Sequence, residues 1–364
     1  MNKLSALIIG GGIHGLTSAI SLAKEGFDVI ILEKNNEIMQ GTSGATHNRA
    51  HLGFHYPRSI DTAIECIKGL RYFAKEYPES LVYIPETYYL IEKKSKISFD
   101  EYKNFCDKIK SPYEVKLPPE KFINTNYIAN GVKVPEPIFH IEKLTNVLIK
   151  KSHEQNISIK RSSEVIEFNK TENKYNLICI ESNKRKIYTA DIILNATYAY
   201  SNNILKILDL KEDMTEYYLQ HTEIAVMKSK NPLPSLTVMD GKFFSIMNYA
   251  SEESNLYLLY DPKYSILEQK KGYFLKEKVF NSNLKKMIKH GSIYFPFLKE
   301  LKYVESWYGT RPVPVKAVGD SRKTRIKSHT KHPGIYSILE GKFISAPLIA
   351  RDFVSLLKEE EIIK

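Results

Sequence analysis

The chain has 364 residues, enough for two domains and a substantial core. Its 43% hydrophobic and 26% charged residues exclude wholesale disorder. The formal net charge is +11, yet only nine of the 53 basic residues are Arg, so the charge reads as a lysine-solvated surface and no nucleic-acid partner is expected.

The elements follow in chain order. Leu4–Ile9 is an apolar run that reads as a buried strand. Apolar residues at Ile13, Leu16, Ala19, Ile20 and Ala23 keep helical spacing and stop at Gly26. Phe27–Lys34 is a second apolar strand with an acid near its end. A helix between two such strands predicts a parallel pair with a right-handed crossover. Residues 41–60 have no clean period and carry three His, two Arg and three Gly, the composition of a functional loop. Asp61–Lys75, Asp100–Ile109 and Ile141–Glu154 read as helices, and Val82–Glu92 as a strand. Short alternating runs at Ile157–Lys160, Glu164–Phe168, Tyr175–Glu181 and Lys186–Tyr188 suggest a small sheet, and residues 190–197 a buried strand. From Thr222 to Tyr260 the pattern is an antiparallel meander with a hairpin at Asp240-Gly241. Leu267–His290 reads as helical, Ser306–Pro312 and Gly334–Leu339 as strands, and the chain ends in a helix beginning near Ala346.

Cys66, Cys106 and Cys179 lie far apart with no CxxC pair, which argues against a disulfide scaffold and a four-cysteine metal centre; no metal is expected. No run approaches the length of a membrane span, and nothing in the sequence supports a peripheral membrane contact. The expected location is cytoplasmic. A tight basic cluster at Arg322, Lys323, Arg325 and Lys327 has no aromatic interleaving and reads as surface.

Eight of the 17 glycines fall within the first 53 residues, so one segment concentrates the close backbone approaches. Gly10-x-Gly12-x-x-Gly15 follows the first strand and opens the first helix. Such glycines permit a tight turn, approach to a pyrophosphate and helix–strand packing. Glu33 ends the second strand, where a carboxylate accepts ribose hydroxyls. GxGxxG alone is a weak signal; strand, turn, helix, strand and acid in order make a nucleotide site, and the acid favours NAD or FAD over NADP.

That opening, the Gly41-Thr42-Ser43 turn, residues 190–201, Trp307–Pro312 and the final Gly334–Pro347 stand in an order that resembles the D-amino-acid oxidase-like FAD-dependent oxidoreductases. The likeness runs through the whole chain. Within that group, His51–Pro57 looks like the segment of L-2-hydroxyglutarate oxidases and glycerol-3-phosphate dehydrogenases that lies against the flavin. The GKFISAP run is similar to the glycine-lysine helix start of the glycerol-3-phosphate group.

The resemblance implies an α/β fold. A Rossmann-like FAD-binding domain (residues 1–85, 140–205 and 310–364) would pair with a substrate domain on an antiparallel sheet (86–139 and 206–309). It implies FAD as cofactor, held by Gly10, Gly12, Ile13, His14, Gly15, Glu33, Lys34, Thr42, Ser43, Val165, Ala196, Thr197, Gly341, Lys342, Phe343 and Ile344. The family usually has Gly where Tyr198 stands. Ser345 is a candidate N-cap and Pro347 suits the first turn of the last helix. That helix and Lys342 would stabilise the negative charge of reduced flavin.

The implied substrate is a small molecule carrying an anionic group. Arg311 would hold that group with its planar fork. Arg49 and Arg58 fall in candidate segments too, where a structural ion pair is as good a reading. His51 is the expected base, because removing hydride from an alcohol also requires removing the hydroxyl proton. His55 and Tyr56 complete the catalytic group, while His47 shares the loop. The expected reaction is oxidation of a CH–OH group in a hydroxy acid, polyol phosphate or sugar derivative, with hydride passing to flavin N5. Two alternatives stay open: an amino-acid or secondary-amine oxidase on the same fold, and a flavin-binding protein without turnover. The electron acceptor and oligomeric state are unassigned.

Overall fold

The computed structural model describes residues 3–239, 243–275, 278–315, 324–339 and 341–363. Strand β1 (Ser5–Ile9), helix α1 (Ile13–Lys24) and strand β2 (Asp28–Leu32) form the expected βαβ unit, with β1 and β2 parallel and Ile9 opposite Leu32. They sit in a six-stranded sheet. Its order is Arg325–Ser328, Ile335–Leu339, Ile192–Asn195, β1, β2, Ser158–Lys160, and only the first pair is antiparallel.

Successive β1 side chains serve opposite faces, so an unbroken apolar run is what a doubly covered strand requires. Ala6 and Ile8 join Leu16, Ile20, Leu144 and Phe353 beneath α1 and the helices Ile141–Glu154 and Ala346–Glu359. Leu7 and Ile9 join Leu177, Ile193, Leu205 and Ile335 on the other face, under the three-stranded antiparallel sheet Ser163–Ala190.

The second sheet is nine-stranded and built around Tyr217–Lys228. The expected meander is present: 217–228 pairs with Leu256–Tyr260, which pairs with Ser245–Asn248, which pairs with Ser235–Met239, all antiparallel. The Asp240-Gly241 turn lies outside the described residues, as do Arg322 and Lys323. Thr87–Glu92 joins the sheet parallel to Ser235–Met239. Lys302–Pro314 runs along Tyr217–Lys228. Its apolar side packs Leu90, Leu236, Phe244, Ile246 and Phe295 together.

Two elements are corrected: Val82–Glu92 is not one strand, since Leu81–Tyr83 pairs with Pro137–Phe139 in a separate two-stranded sheet and only Thr87–Glu92 joins the large sheet. Leu267–His290 is not one helix. Ile266–Gly272 is a strand paired with 217–222, and helix begins only at Leu284. The lysines that suited an exposed helix face suit an exposed strand edge equally well, and pairing with Tyr217–Thr222 decides the matter.

Candidate active site

A cavity of ≈ 1300 Å³ opens between the two sheets. From the parallel sheet it takes the carboxyl ends of the strands: Gly10 and Gly12 after β1, Glu33 after β2, Ala196 and Thr197 after Ile192–Asn195, and Gly341 after Ile335–Leu339. That is where open α/β sheets bind ligands. The opposite wall is the second sheet, through Thr222, Ser245, Tyr260, Thr310 and Arg311.

The glycine turn has distinct reasons at each position. Gly10 holds φ +104°, in the region that favours glycine. A Cβ on Gly15 would stand 1.9 Å from the Gly10 carbonyl oxygen, so this glycine lets α1 lie on β1 and does not itself line the cavity. A Cβ on Gly12 would meet only the Ser43 hydroxyl, at 3.0 Å. Gly12 caps α1 without a side chain, and Ser43 Oγ accepts from Ile13 N–H at 3.1 Å. The start of α1 is therefore polar and turned to the cavity, with no acid in its first turn. Thr42 donates to the Thr310 carbonyl at 3.2 Å, tying the loop to the second sheet. Glu33 accepts from Gly11 N–H at 2.6 Å and Asn35 N–H at 2.9 Å. Val165 lines the cavity from the strand Ser163–Lys170, and Lys34 lies over the Tyr200 ring.

Tyr198, where the family was expected to carry glycine, lines the cavity. It adopts φ +52°, a conformation that costs a tyrosine about 1 kcal/mol or more.

At the other end, His14 joins the two chain termini. Its Nε2 pairs with the Lys342 carbonyl at 3.0 Å, and burial lowers its pKa to about 4, so the ring is neutral and donates there. Phe343 and Ile344 line the cavity beside Gly341. Gly69 on helix α2 (Ile60–Glu76) backs onto this segment; a Cβ there would stand 2.5 Å from the Ile344 carbonyl oxygen. Ser345 occupies the N-cap of the last helix but its hydroxyl does not cap. It donates to the Lys342 carbonyl at 2.8 Å and pairs with Thr324 Oγ1 at 2.7 Å. Pro347 sits in the first turn as expected. Lys342 lines the cavity, and its ammonium is partnered by Glu65 of α2 at 3.1 Å.

The catalytic candidates converge. His51, His55, Tyr56, Arg311 and Lys342 all line the cavity. The rings of His51, His55 and Tyr56 lie 5.3–5.4 Å apart. Burial drives the His51 pKa well below its ordinary value, and the Arg49, His47 and Lys342 charges push the same way. The His51 ring is neutral. His55 Nδ1 is occupied by Arg49 Nη1–H at 3.3 Å. Arg311 donates to Gln220 at 2.8 Å and its Nε is buried without a hydrogen-bond partner. Tyr260 lines the cavity, against His47, whereas Tyr257 accepts from Leu233 N–H and Tyr249 packs on Trp307.

Arg49 lines the cavity and is tied into a buried polar network. It is buried in the cavity wall, bonded to Tyr89 at 2.9 Å and Thr237 at 2.7 Å, with Glu136 at 3.8 Å. Glu136 and Glu65 had no local signal in the sequence; both reach the site from segments read only as connection and helix. No group of three or more metal-ligating side chains occurs among the described residues, and no described helix is long and apolar enough to cross a membrane.

The profile of a family described as FAD dependent oxidoreductase matches residues 5–356. A FAD-dependent monooxygenase, kojA, of Aspergillus flavus is 26% identical over 385 aligned positions, covering 98% of this chain and 86% of that protein. Glycine oxidase from Geobacillus kaustophilus superposes with a TM-score of 0.76 at 15% identity, covering 99% of this chain and 95% of that one. L-alpha-glycerophosphate oxidase from Mycoplasma pneumoniae, solved with FAD bound, superposes with a TM-score of 0.75 at 18% identity, covering 98% and 95%. At these identities the two solved structures speak to the fold alone.

Proposed function

This chain belongs to the FAD-dependent oxidoreductase family, and from that premise we propose that it oxidises a secondary alcohol: the CH–OH group of a hydroxy acid, polyol phosphate or sugar derivative. The observation that carries the reading is the placement of His51, an uncharged imidazole in the cavity wall beside His55 and Tyr56 with a ring able to take up a proton. A neutral amine can be oxidised without a base, whereas an alcohol must lose its hydroxyl proton as its carbon is oxidised.

The residues present fit FAD. The Gly10–Gly12 turn and the start of α1 suit the pyrophosphate, with the Thr42 and Ser43 hydroxyls beside them. Glu33 suits the ribose and Val165 the adenine. Ala196, Thr197 and Gly341–Ile344 suit the flavin end. When bound, FAD takes up the hydride that leaves the substrate carbon. The protein's part is to place the alcohol. His51 accepts the hydroxyl proton, and Arg311 holds an anionic group with its guanidinium. Lys342 and the last helix supply positive potential at the flavin end, with Glu65 fixing the ammonium. On this reading residues 1–85, 140–205 and 310–364 bind the cofactor and 86–139 and 206–309 shape the substrate side.

The test is a visible spectrum of the FAD-loaded protein, followed by anaerobic exposure to a panel. The panel comprises L-2-hydroxyglutarate, glycerol 3-phosphate, sugar nucleotides and amino acids. Bleaching by a CH–OH compound, slowed in His51→Ala, supports the reading. Bleaching by amino acids alone, or at full rate in His51→Ala, refutes it.

A further inference from the structure

Glu136 lies between the strands Ile128–Lys133 and Pro137–Phe139, far from His51 in sequence, and its side chain is wholly buried. It accepts from Leu52 N–H at 2.7 Å, next in the chain to His51, and from Tyr89 O–H at 2.6 Å. Its Oε1 then faces two further groups: Arg49 Nε at 3.8 Å and His51 Nδ1 at 4.0 Å. Both nitrogens are shut off from solvent without a hydrogen-bond partner. Two orphaned buried nitrogens facing one carboxylate oxygen make a poised contact rather than a chance proximity. The His51 side chain keeps 20% exposure although Nδ1 has none, so the exposed part of the ring lies elsewhere.

We propose that Glu136 is a positioning residue for His51: it holds the Nδ1 edge of the ring, directs the other nitrogen to the cavity, and offsets the charge that the ring acquires. This rests on His51 acting as the base. As the substrate C–O–H becomes C=O, the hydroxyl proton goes to the outward ring nitrogen and the hydride leaves the carbon for FAD. The resulting imidazolium carries Nδ1–H toward Glu136. Every other charge facing the ring is positive or able to become so: Arg49, His47 and Lys342, with the His55 and Tyr56 rings beside it. Glu136 is the one carboxylate paired with His51 among the described residues. A base oriented by a third group is the usual arrangement for proton abstraction.

Histidine-ring ¹⁵N spectroscopy on the FAD-loaded full chain tests the orientation without any substrate, with the His51 signals identified from His51→Gln. The expected form is the Nδ1–H tautomer; an Nε2–H ring overturns the proposal. Glu136→Gln keeps the shape and removes the charge. With the panel compound that reduces the wild type, flavin reduction should slow about tenfold or more at unchanged half-saturation. The acid limb of the rate profile should move to lower pH, which a purely structural role would leave in place. Glu136→Asp should retain part of the rate. A Glu136→Gln protein with wild-type rate and profile overturns the proposal. If that variant does not fold, Glu136→Asp and the wild-type tautomer decide. A fully active His51→Ala would instead strike the base itself, leaving the tautomer as a separate result.

Discussion

Gly341 lies against His14 so closely that a Cβ on the glycine would stand 2.5 Å from the imidazole Nε2. The same nitrogen holds the Lys342 carbonyl at 3.0 Å. The first helix and the segment before the last helix are thus locked together at the Lys342 end of the cavity. Gly341→Ala must push the ring aside or move the segment, and either loosens Lys342. FAD affinity, followed by flavin fluorescence, should fall about tenfold, with destabilisation of about 1–3 kcal/mol. Unchanged affinity would mean that His14 yields freely.

Acid should weaken the protein through its buried histidines. Burial lowers His14 to about 4 and His47 to about 3. The unfolded chain, with histidines near their ordinary value, binds more protons below about pH 6.5. Stability from the neutral rings is therefore complete above that pH. It drains away as pH falls toward 4, by about 3 kcal/mol for His14 alone. Urea midpoints should drop steeply between pH 7 and 4.5. His14→Gln should flatten that slope, and an equal slope would discount the assignment.

The glycine fingerprint separates into a packing residue and a cavity-lining residue. Gly15→Ala drives a Cβ into backbone at 1.9 Å, whereas Gly12→Ala meets a rotatable hydroxyl at 3.0 Å. Gly15→Ala should cost about 3 kcal/mol or more and lower FAD binding as a consequence. Gly12→Ala should lose FAD affinity with a thermal midpoint close to wild type. Denaturation of both apoproteins, set beside flavin titrations, distinguishes the two; equal destabilisation would merge them.

What the sequence made legible was local. The βαβ opening, the acid at Glu33, the loop through His51 and the GKFISAP run each carry their signal within a few residues. Of the residues expected to hold the cofactor or act on the substrate, all but Gly15 line one cavity, whereas Arg58 and Ser345 from the same segments do not. Glu65 and Glu136 were hidden because their meaning comes only from what folding sets beside them, Lys342 in one case and His51 with Arg49 in the other. The strand Ile266–Gly272 was misread for the same reason: its edge lysines carry no period that distinguishes exposed helix from exposed strand. Tyr198 shows the converse, since its left-handed backbone is set by the site and not by its own preference.

Arg311 was the expected anion anchor and Arg49 an even choice between site residue and structural ion pair, and the two should differ in assay. Arg49 is the buried cation of a network that includes Tyr89, Thr237 and the Glu136 carboxylate. Arg49→Ala strands that carboxylate in the interior and should cost about 3–5 kcal/mol. Arg311 is half-buried on the sheet facing the cavity, donates to Gln220 and lies over the Tyr260 ring. Arg311→Ala should change stability by about 1 kcal/mol or less. For an anionic substrate it should raise the half-saturation of anaerobic flavin reduction about a hundredfold, and Arg311→Lys should recover only part of that, because an ammonium cannot form the planar fork. Denaturant unfolding and flavin bleaching on the same preparations give both numbers. An Arg311→Ala protein that binds its substrate as tightly as wild type would end the anion assignment and turn the search toward neutral sugars.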